Sequence, residues 1–258
     1  MEQKDVFSRI ARRRFFDRAV ASDEGDRWLA RFMVDELAER LSAVRRSFNR
    51  ALIIGHDCRA LHMQLGTDGT QVVSASAGFN GTALAIGVQC DEDRLPFADA
   101  SFDLILAPGG LDTVNDLPGA LILIRRILRA DGLFLGAMQG AGGLATFRRV
   151  LAGVDGGNQA IVRHHPQIDV RAAGDLLARA GFRLPVAEHH VLTARYPNLF
   201  RLIGDLRANG MTNALVDRHS LTRDQIGQIA ERFSSGGEDK TEENFSIIFM
   251  TGWAPTGA

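Results

Sequence analysis

Lysine, cysteine and tyrosine are scarce in this sequence, and each shortage narrows what the chain can be. Lys4 and Lys240 are the only lysines among 30 basic residues, a bias that we attribute to the base composition of the source genome. Cys58 and Cys90 are the only cysteines, too few for a disulfide framework and without the C-x-x-C spacing of a redox or metal motif. This cysteine usage favours a reducing compartment.

Net charge and long apolar runs are missing as well. The formal net charge of −1 gives no bulk attraction to nucleic acid or to an anionic membrane. No run approaches the roughly 18 apolar residues of a membrane span. Arg12, Arg13 and Arg14 interrupt the place where a signal peptide has its apolar core. We therefore expect a cytoplasmic protein that has no integral membrane segment and no nucleic-acid partner.

Short apolar runs that alternate with amphipathic segments dominate the rest of the sequence. Residues 51–54 are wholly apolar and end at Gly55, which is typical of a central parallel strand covered on both faces. Further strands are predicted at 71–76, 82–88, 102–107, 133–138, 182–193 and 243–253. Strands that alternate with helices predict an α/β fold, with a doubly wound sheet and right-handed crossovers.

Helix signals lie between these strands. Apolar residues at three- and four-residue spacing predict an amphipathic helix over 26–46. Asp116 and Asp169 are candidate N-caps, and Thr222-Arg223-Asp224-Gln225 forms a capping box. Helices are also predicted at 58–65, at 197–208 and from Leu221 onward.

The order of these elements predicts the domain organisation. Residues 1–48 are expected to form an N-terminal helical segment, and 49–258 an α/β domain with a helical insert at about 196–237. Ligands bind such open sheets at the carboxyl ends of the strands, at the switch point of the strand order.

An acidic turn between two apolar runs is the most informative stretch. Gln89-Cys90-Asp91-Glu92-Asp93 closes one run, Leu95-Pro96-Phe97 forms the turn, and Ser101-Phe102-Asp103 opens the next run. This order resembles the third strand, the adenine-side acid and the fourth strand of class I S-adenosylmethionine (SAM)-dependent methyltransferases. That resemblance implies a Rossmann-like fold, with a seven-stranded, mostly parallel sheet, helices on both faces and a helical insert before the last strand.

Several longer segments resemble one family within that class, the methyltransferase-fold assembly factor of respiratory complex I and its bacterial homologues. They include V-N-D-L-P-G-A-L from Val114, I-L-R-A-D-G-L-F-L-G-A-M from Ile127, Y-P-N-L-F-x-L-I-x-D-L from Tyr196 and I-I-F-M-T-G-W from Ile247. The resemblance covers roughly 15–253 and is weakest at 55–81. The mitochondrial member of this family is associated with hydroxylation of an arginine on a complex I subunit.

The resemblance implies SAM as the cofactor and assigns residues to its site. Gly55, His56 and Asp57 stand where the glycine-rich loop approaches the methionine end, although only one glycine is present. Ser76 replaces the acid that ends the second strand and grips the ribose. A second interpretation is a strand-to-helix turn that binds nothing.

Asp91 and Glu92 stand at the adenine end of the implied site, and Ala107 and Pro108 follow the fourth strand. The acidic residues are alternatively a solvated loop that caps a turn. Asp112 is the one nearby candidate for a general base, with a structural role beside a helix as the other interpretation. No catalytic residue is assigned, and methyl transfer can proceed largely by proximity.

Substrate contacts are implied for the insert, where Tyr196, the only tyrosine, and Phe200 are expected at the mouth of the pocket unless they belong to the core. The pairs His164-His165 and His189-His190 lack the H-E-x-x-H spacing, so no metal site is predicted.

A stripe of N-terminal arginines is interleaved with phenylalanines. It either docks an acidic partner, closes over the cofactor pocket, or is a solvated helix face with snorkelling stems. The stripe comprises Arg9, Arg12, Arg13, Arg14 and Arg18, with Phe7, Phe15 and Phe16 between them.

Three functional hypotheses follow. The first is a SAM-dependent methyltransferase, or a methyltransferase-like enzyme, acting on a protein or a small molecule. The second is an assembly factor that has lost most of its grip on the cofactor and binds a subunit of a respiratory complex. The third, protein-arginine hydroxylation, is implied by the resemblance alone.

Overall fold

A single twisted sheet organises the protein. The structure, a computed structural model, describes residues 5–22, 27–55, 59–67, 69–80, 87–154, 163–234 and 240–256. In these residues seven strands form one sheet in the order β3-β2-β1-β4-β5-β7-β6. They are β1 Arg50–Ile54, β2 Gln71–Ser76, β3 Gly87–Gln89, β4 Phe102–Pro108, β5 Leu128–Gln139, β6 Arg183–Tyr196 and β7 Thr241–Trp253.

Only β7 runs against its neighbours. It pairs antiparallel with β5 and β6, whereas β1 pairs parallel with β2 and β4, β2 with β3, and β4 with β5. The chain winds outward from β1 in both directions, so the strand order switches between β1 and β4. The predicted mostly parallel, seven-stranded sheet is confirmed.

Helices cover both faces of the sheet, as predicted. They are α1 Arg9–Val20, α2 Trp28–Ser42, α3 Arg59–Thr67, α4 Leu117–Ile127, α5 Ala145–Gly153, α6 Val170–Arg179, α7 Leu199–Ala208 and α8 Arg223–Ser234. Apolar residues of α2, α3, α5, α7 and α8 pack in one core, and those of α4 and α6 in the other. In the described residues, no helix combines the length and apolarity needed to cross a membrane.

The alternation of side chains along the central strands explains these two cores. Ala51 and Ile53 of β1 point into the first core, and Leu52 and Ile54 into the second. Successive residues of a strand face opposite sides of the sheet, so a strand covered by helices on both sides must be apolar throughout.

The predicted helix caps are confirmed by their hydrogen bonds. The Gly119 backbone N–H donates to Asp116 Oδ1 at 2.8 Å, and the Ala172 N–H donates to Asp169 Oδ1 at 2.8 Å. In the capping box before α8, the Gln225 N–H donates to Thr222 Oγ1 at 3.2 Å, and the Thr222 N–H donates to Gln225 Oε1 at 3.0 Å. Such caps depend on neighbours in sequence, which is why the sequence reveals them.

Several boundaries differ from the prediction. The helix expected at 26–46 is shorter, and the one expected at 197–208 begins at Leu199 because Asn198 caps it through a bond from the Arg201 N–H. Strand β6 extends to Tyr196. Helix α5 was not predicted at all. Residues 81–86, in the predicted third strand, lie outside the described residues.

Tyr196 corrects an expectation about the insert. Its side chain is only 3% exposed and packs in the first core instead of lining a pocket mouth. The hydroxyl donates to Asp205 Oδ2 at 3.1 Å, and the Trp28 Nε1–H donates to the same oxygen at 3.0 Å. Asp205 on α7 therefore ties the insert to both β6 and α2.

We expect Asp205→Ala to lower the free energy of unfolding by about 3 kcal/mol, because two buried donors lose their acceptor. Tyr196→Phe removes one donor without leaving the other unpaired, so its loss is expected to be smaller, about 1 kcal/mol. Urea unfolding monitored by circular dichroism measures both.

The control for this series is Asp175→Ala, at an exposed position of α6. Its effect is expected to stay within about 0.5 kcal/mol. If Asp205→Ala proved as mild as this control, Asp205 would not anchor the insert.

Candidate active site

The segment before α1 is fixed across the carboxyl end of the sheet. Asn115 Oδ1 accepts from the backbone N–H groups of Val6, at 2.9 Å, and Phe7, at 2.8 Å. Asn115 Nδ2 donates to the Phe7 carbonyl at 3.0 Å. Phe7 also forms an antiparallel bridge with Leu215 of the loop between α7 and α8. These bonds determine where α1 starts and which of its faces meets the sheet.

Helix α1 lies over the acidic turn that follows β3, and Arg12 reaches into it. The guanidinium is 2% exposed. Its Nη2 donates to Glu92 Oε2 at 2.8 Å and to the Gly110 carbonyl at 3.2 Å, and its Nε donates to Thr113 Oγ1 at 3.0 Å. Its Nη1 lies 3.5 Å from Asp91 Oδ1. Arg12 thus links the turn after β3 to the segment after β4.

Two further arginines of α1 extend this contact. Arg9 donates to both carboxylate oxygens of Asp93, at 2.7 and 2.8 Å, and lies 3.3 Å from Asp91. Arg13 Nη2 donates to Asp91 Oδ2 at 3.1 Å. The arginine stripe therefore closes over the acidic turn at these positions. The interpretation of that turn as a solvated loop is wrong, since Asp91 and Glu92 are buried.

One oxygen of this cluster has no partner. Glu92 Oε1 is buried without a hydrogen bond to any described residue, although Glu92 is only 1% exposed. It lies beside Gly110, where a Cβ would come within 3.1 Å of it. A buried carboxylate oxygen without a donor is costly, so this oxygen is available to an N–H or O–H group of a ligand.

Two glycines bring the backbones after β1 and β4 close together at the switch point of the sheet. Gly55 has a φ of +145°, and a Cβ there would lie 3.0 Å from the Gly109 carbonyl oxygen. Only glycine fits both the conformation and the space. The close approach is between the backbones that follow β1 and β4, and the assignment of Gly55 to a cofactor loop stays a prediction. His56 and Asp57, assigned to the same loop, lie outside the described residues.

The other residues assigned to the cofactor site offer fewer side-chain contacts to a cofactor. Ser76 is 1% exposed, and its hydroxyl accepts from the Gly78 N–H at 3.2 Å. Ala107 packs in the second core, and Pro108 ends β4 as a buried residue. Ala107 and Pro108 therefore offer backbone to the crevice. Phe200, assigned to substrate, is 63% exposed and does not line the cavity described next.

A cavity of about 550 Å³ opens beside this crevice. Its walls come from the turn after β4, the end of β5, helices α5 and α7, and the loops before α6 and α8; Phe15 of α1 lines one side. No local sequence pattern predicts this cavity, because its walls come from segments far apart in the chain. Two features that are visible in the sequence, the pair His164-His165 and the helical insert, both contribute to the lining of the cavity.

Three titratable groups around the site have pKa values moved by burial. Burial raises the pKa of Asp112, which lines the cavity near Arg12 and Glu92. Burial lowers the pKa of His165 to about 4, and its Nε2 accepts from the Ala214 N–H at 2.9 Å. Burial, and then the charges of Glu92 and Asp91, raise the pKa of the Cys90 thiol to about 12.

These shifts describe the chemistry available. Burial moves the pKa of Asp112 upward, His165 is an uncharged hydrogen-bond acceptor, and Cys90 is held as an unreactive thiol. Asp112 caps no helix, because the turn Leu111–Thr113 has no side-chain cap. Across the parts of the chain that the structure describes, no group of three or more His, Cys, Asp or Glu residues is arranged to hold a metal ion.

Comparison with known proteins identifies the family. A family model described as a methyltransferase domain matches residues 54–136. The chain is 30% identical to the mitochondrial arginine-hydroxylase NDUFAF5 of Danio rerio, over 97% of this chain and 83% of that protein. It is 33% identical to a malonyl-[acyl-carrier protein] O-methyltransferase of Xylella fastidiosa, over 69% of this chain and 59% of that protein.

A solved structure shows the same fold. The phosphoethanolamine N-methyltransferase 2 of Haemonchus contortus, in complex with SAM, superposes with a TM-score of 0.57 at 17% identity, over 95% of this chain and 60% of that one. At this identity the likeness concerns the fold alone. Sheet order and sequence agree, and the chain therefore belongs to the class I SAM-dependent methyltransferases and, within them, to the family of the arginine hydroxylase NDUFAF5.

Proposed function

We propose that the protein binds SAM at the carboxyl ends of β1 to β4 and transfers its methyl group to an acceptor held in the neighbouring cavity. The observation that carries this proposal is the unpartnered Glu92 Oε1, buried at the switch point of the sheet. Ligands of open α/β sheets bind at this place. The acceptor is a protein side chain or a small molecule.

The described residues fit the cofactor at two places. Glu92 Oε1 lacks a donor, and the amino group of adenine supplies one. The ends of β1 and β4 meet there through the bare backbone of Gly55 and Gly109, so the methionine end would face main-chain groups at this corner. At the ribose end Ser76 gives a poorer fit, because its hydroxyl already accepts a bond and a single hydroxyl cannot grip a diol as a carboxylate does.

The chain's own contribution to such a reaction is positioning. SAM supplies an already activated methyl group, so holding donor and acceptor together supplies most of the catalysis. Phe15 of α1 and Asp112 of the segment after β4 line the cavity that would hold the acceptor. Asp112, between the crevice and the cavity, is the group that can hold a proton near the acceptor.

Isothermal titration calorimetry with SAM tests the proposal. We expect binding at about micromolar strength to the wild type, and Kd raised about tenfold in Glu92→Gln, because one amide replaces the carboxylate that faces the ligand. Asp93→Asn is the matched control. It also removes an arginine partner from α1 but leaves Glu92 intact, and its Kd is expected to change less than about twofold.

The absence of heat up to millimolar SAM would overturn the proposal and favour the second hypothesis, a protein-binding assembly factor. One observation favours that alternative. Arg12 already fills the corner between Glu92, Asp91 and Gly110, so cofactor and arginine must share it. Hydroxylation is separated from methylation by mass spectrometry of modified partner proteins, since one adds an oxygen and the other a methylene.

Arg12 is also expected to be a main contributor to stability. Arg12→Met leaves Glu92 buried without its cation, while Asp91 keeps Arg9 and Arg13, so the free energy of unfolding should fall by about 3 kcal/mol. Arg14→Met is the control, because Arg14 lies on the exposed side of the same helix. Denaturant unfolding of both variants measures their free energies of unfolding. Equal stabilities would mean that the buried pair does not hold α1 in place.

The compartment of this activity is part of the proposal. The small number of cysteines and their spacing suit a reducing environment such as the cytoplasm. A subunit of a respiratory complex is the partner suggested by the family. Affinity purification from the source cell followed by mass spectrometry of the bound proteins tests whether such a subunit is the partner.

A further inference from the structure

Phe16 of α1 crosses the crevice at the switch point of the sheet. A Cβ placed on Gly78, after β2, would lie 3.1 Å from Phe16 Cβ, and one placed on Gly110, after β4, would lie 3.4 Å from Phe16 Cζ. The side chain therefore spans the gap between the segments that follow these two strands. Strand β1 lies between β2 and β4, so the ring covers the end of β1, where ligands of open sheets bind.

The same ring lies beside the unpaired oxygen of Glu92. Phe16 is 3% exposed. Glu92 Oε1 and Phe16 Cζ are neighbours of Gly110, at 3.1 and 3.4 Å from the position of a Cβ there. A phenyl ring has no hydrogen-bond donor, so it leaves the desolvation of this oxygen uncompensated. A ligand that replaced the ring and brought an N–H group would remove that cost.

The buried apolar residues of α1 lie outside the two cores that the described residues form on the sheet. They are Ala11, Phe16 and Ala19. Packing of an apolar face against a core supplies most of the stability of a helix in a protein. Helix α1 lacks that contribution, and its departure would leave both cores intact.

Polar contacts attach α1 instead. Near its end, Asp17 Oδ1 accepts from the Asn80 backbone N–H at 2.7 Å, and its arginines pair with the acidic turn after β3. When the whole helix leaves, both partners of each ion pair become accessible to water, so neither stays buried without compensation. The attachment is therefore reversible in a way that an apolar interface is not.

We propose that α1 is an internal competitor for the cofactor crevice: SAM and α1 occupy the carboxyl ends of β1 to β4 in turn, and cofactor binding displaces the helix. This inference rests on the proposed function, because it takes SAM as the ligand. The apparent Kd is then the intrinsic Kd divided by the fraction of molecules in which α1 has left. Weaker attachment of α1 raises that fraction and tightens binding, whereas loosening a lid that closes over the cofactor would weaken binding.

Asn115→Ala tests the competition from outside the crevice. Substituting a crevice residue changes ligand contacts and the attachment of α1 together, whereas Asn115 acts on α1 through the backbone of Val6 and Phe7. We expect its loss to lower the Kd for SAM about tenfold, measured by isothermal titration calorimetry on the full chain. Asp116→Ala is the matched control, because the neighbouring side chain accepts a bond from Gly119 within α4. Its Kd should stay within about twofold of the wild type.

Amide hydrogen exchange, followed by mass spectrometry, reports the position of α1 directly. A helix of 12 residues is unstable without tertiary contacts, so a displaced α1 exchanges fast. Saturating SAM is expected to speed the exchange of residues 9–20 at least about fivefold and to leave α2 unchanged. Slower exchange of α1 in the presence of SAM would identify a lid that closes over the cofactor and would overturn the proposal.

The Asp93→Asn variant is expected to leave α1 in place. Its amide oxygen still accepts a bond from Arg9, and Arg9 also lies 3.3 Å from Asp91. A SAM affinity close to that of the wild type therefore agrees with the competition as well.

Asp17→Ala is a second variant, at the opposite end of the helix. It removes the acceptor of the Asn80 N–H and should also lower the Kd for SAM several-fold, roughly as one hydrogen bond predicts. It keeps the test valid should Asn115→Ala fail to fold, which circular dichroism reports. Equal or weaker SAM binding in both variants would overturn the inference and leave the proposed function standing. Absence of SAM binding in the wild type and both variants would instead remove the proposed function, and the competition with it.

Discussion

The ion pairs of Arg12 with Glu92 and Asp91 are the constraint on which the site depends. Glu92 is paired with Arg12, whereas Asp91 is paired with Arg9 and Arg13 as well, so a buried Glu92 without Arg12 would lose its hydration without compensation. Their mutual attraction holds α1 across the carboxyl end of the sheet. That position brings Phe15 to the cavity, closes one side of the crevice and leaves Glu92 Oε1 as the one unpaired oxygen of the pair.

A second polar cluster, around Asp205, positions α7, which forms another wall of the cavity. Asp205 accepts from Tyr196 and Trp28, so α7 is tied to β6 and α2 by buried hydrogen bonds. Ile203, Leu206 and Arg207 of α7 line the cavity from the helix that these bonds tie down. The clusters around Arg12 and Asp205 thus position the elements that surround the cavity. The two apolar cores form the scaffold that supports both clusters.

The segments that identify the family are largely structural. Asn115 binds the backbone before α1 and Asp116 caps α4, whereas Asn198 caps α7 and Tyr196 meets Asp205. These motifs report how the N-terminal segment and the insert are attached to the sheet. Likeness in them therefore implies the architecture of the site more firmly than the acceptor. The residues that line the cavity lie largely outside those segments.

The sequence alone determined the layered fold, because strand alternation and helix caps depend on residues within a few positions of each other. It also located the acidic turn and the arginine stripe as separate features. Only the tertiary structure decided that they meet, that Tyr196 is core, and that arginines from four segments share one cavity. Such encounters depend on contacts between residues far apart in the chain, which no local pattern encodes.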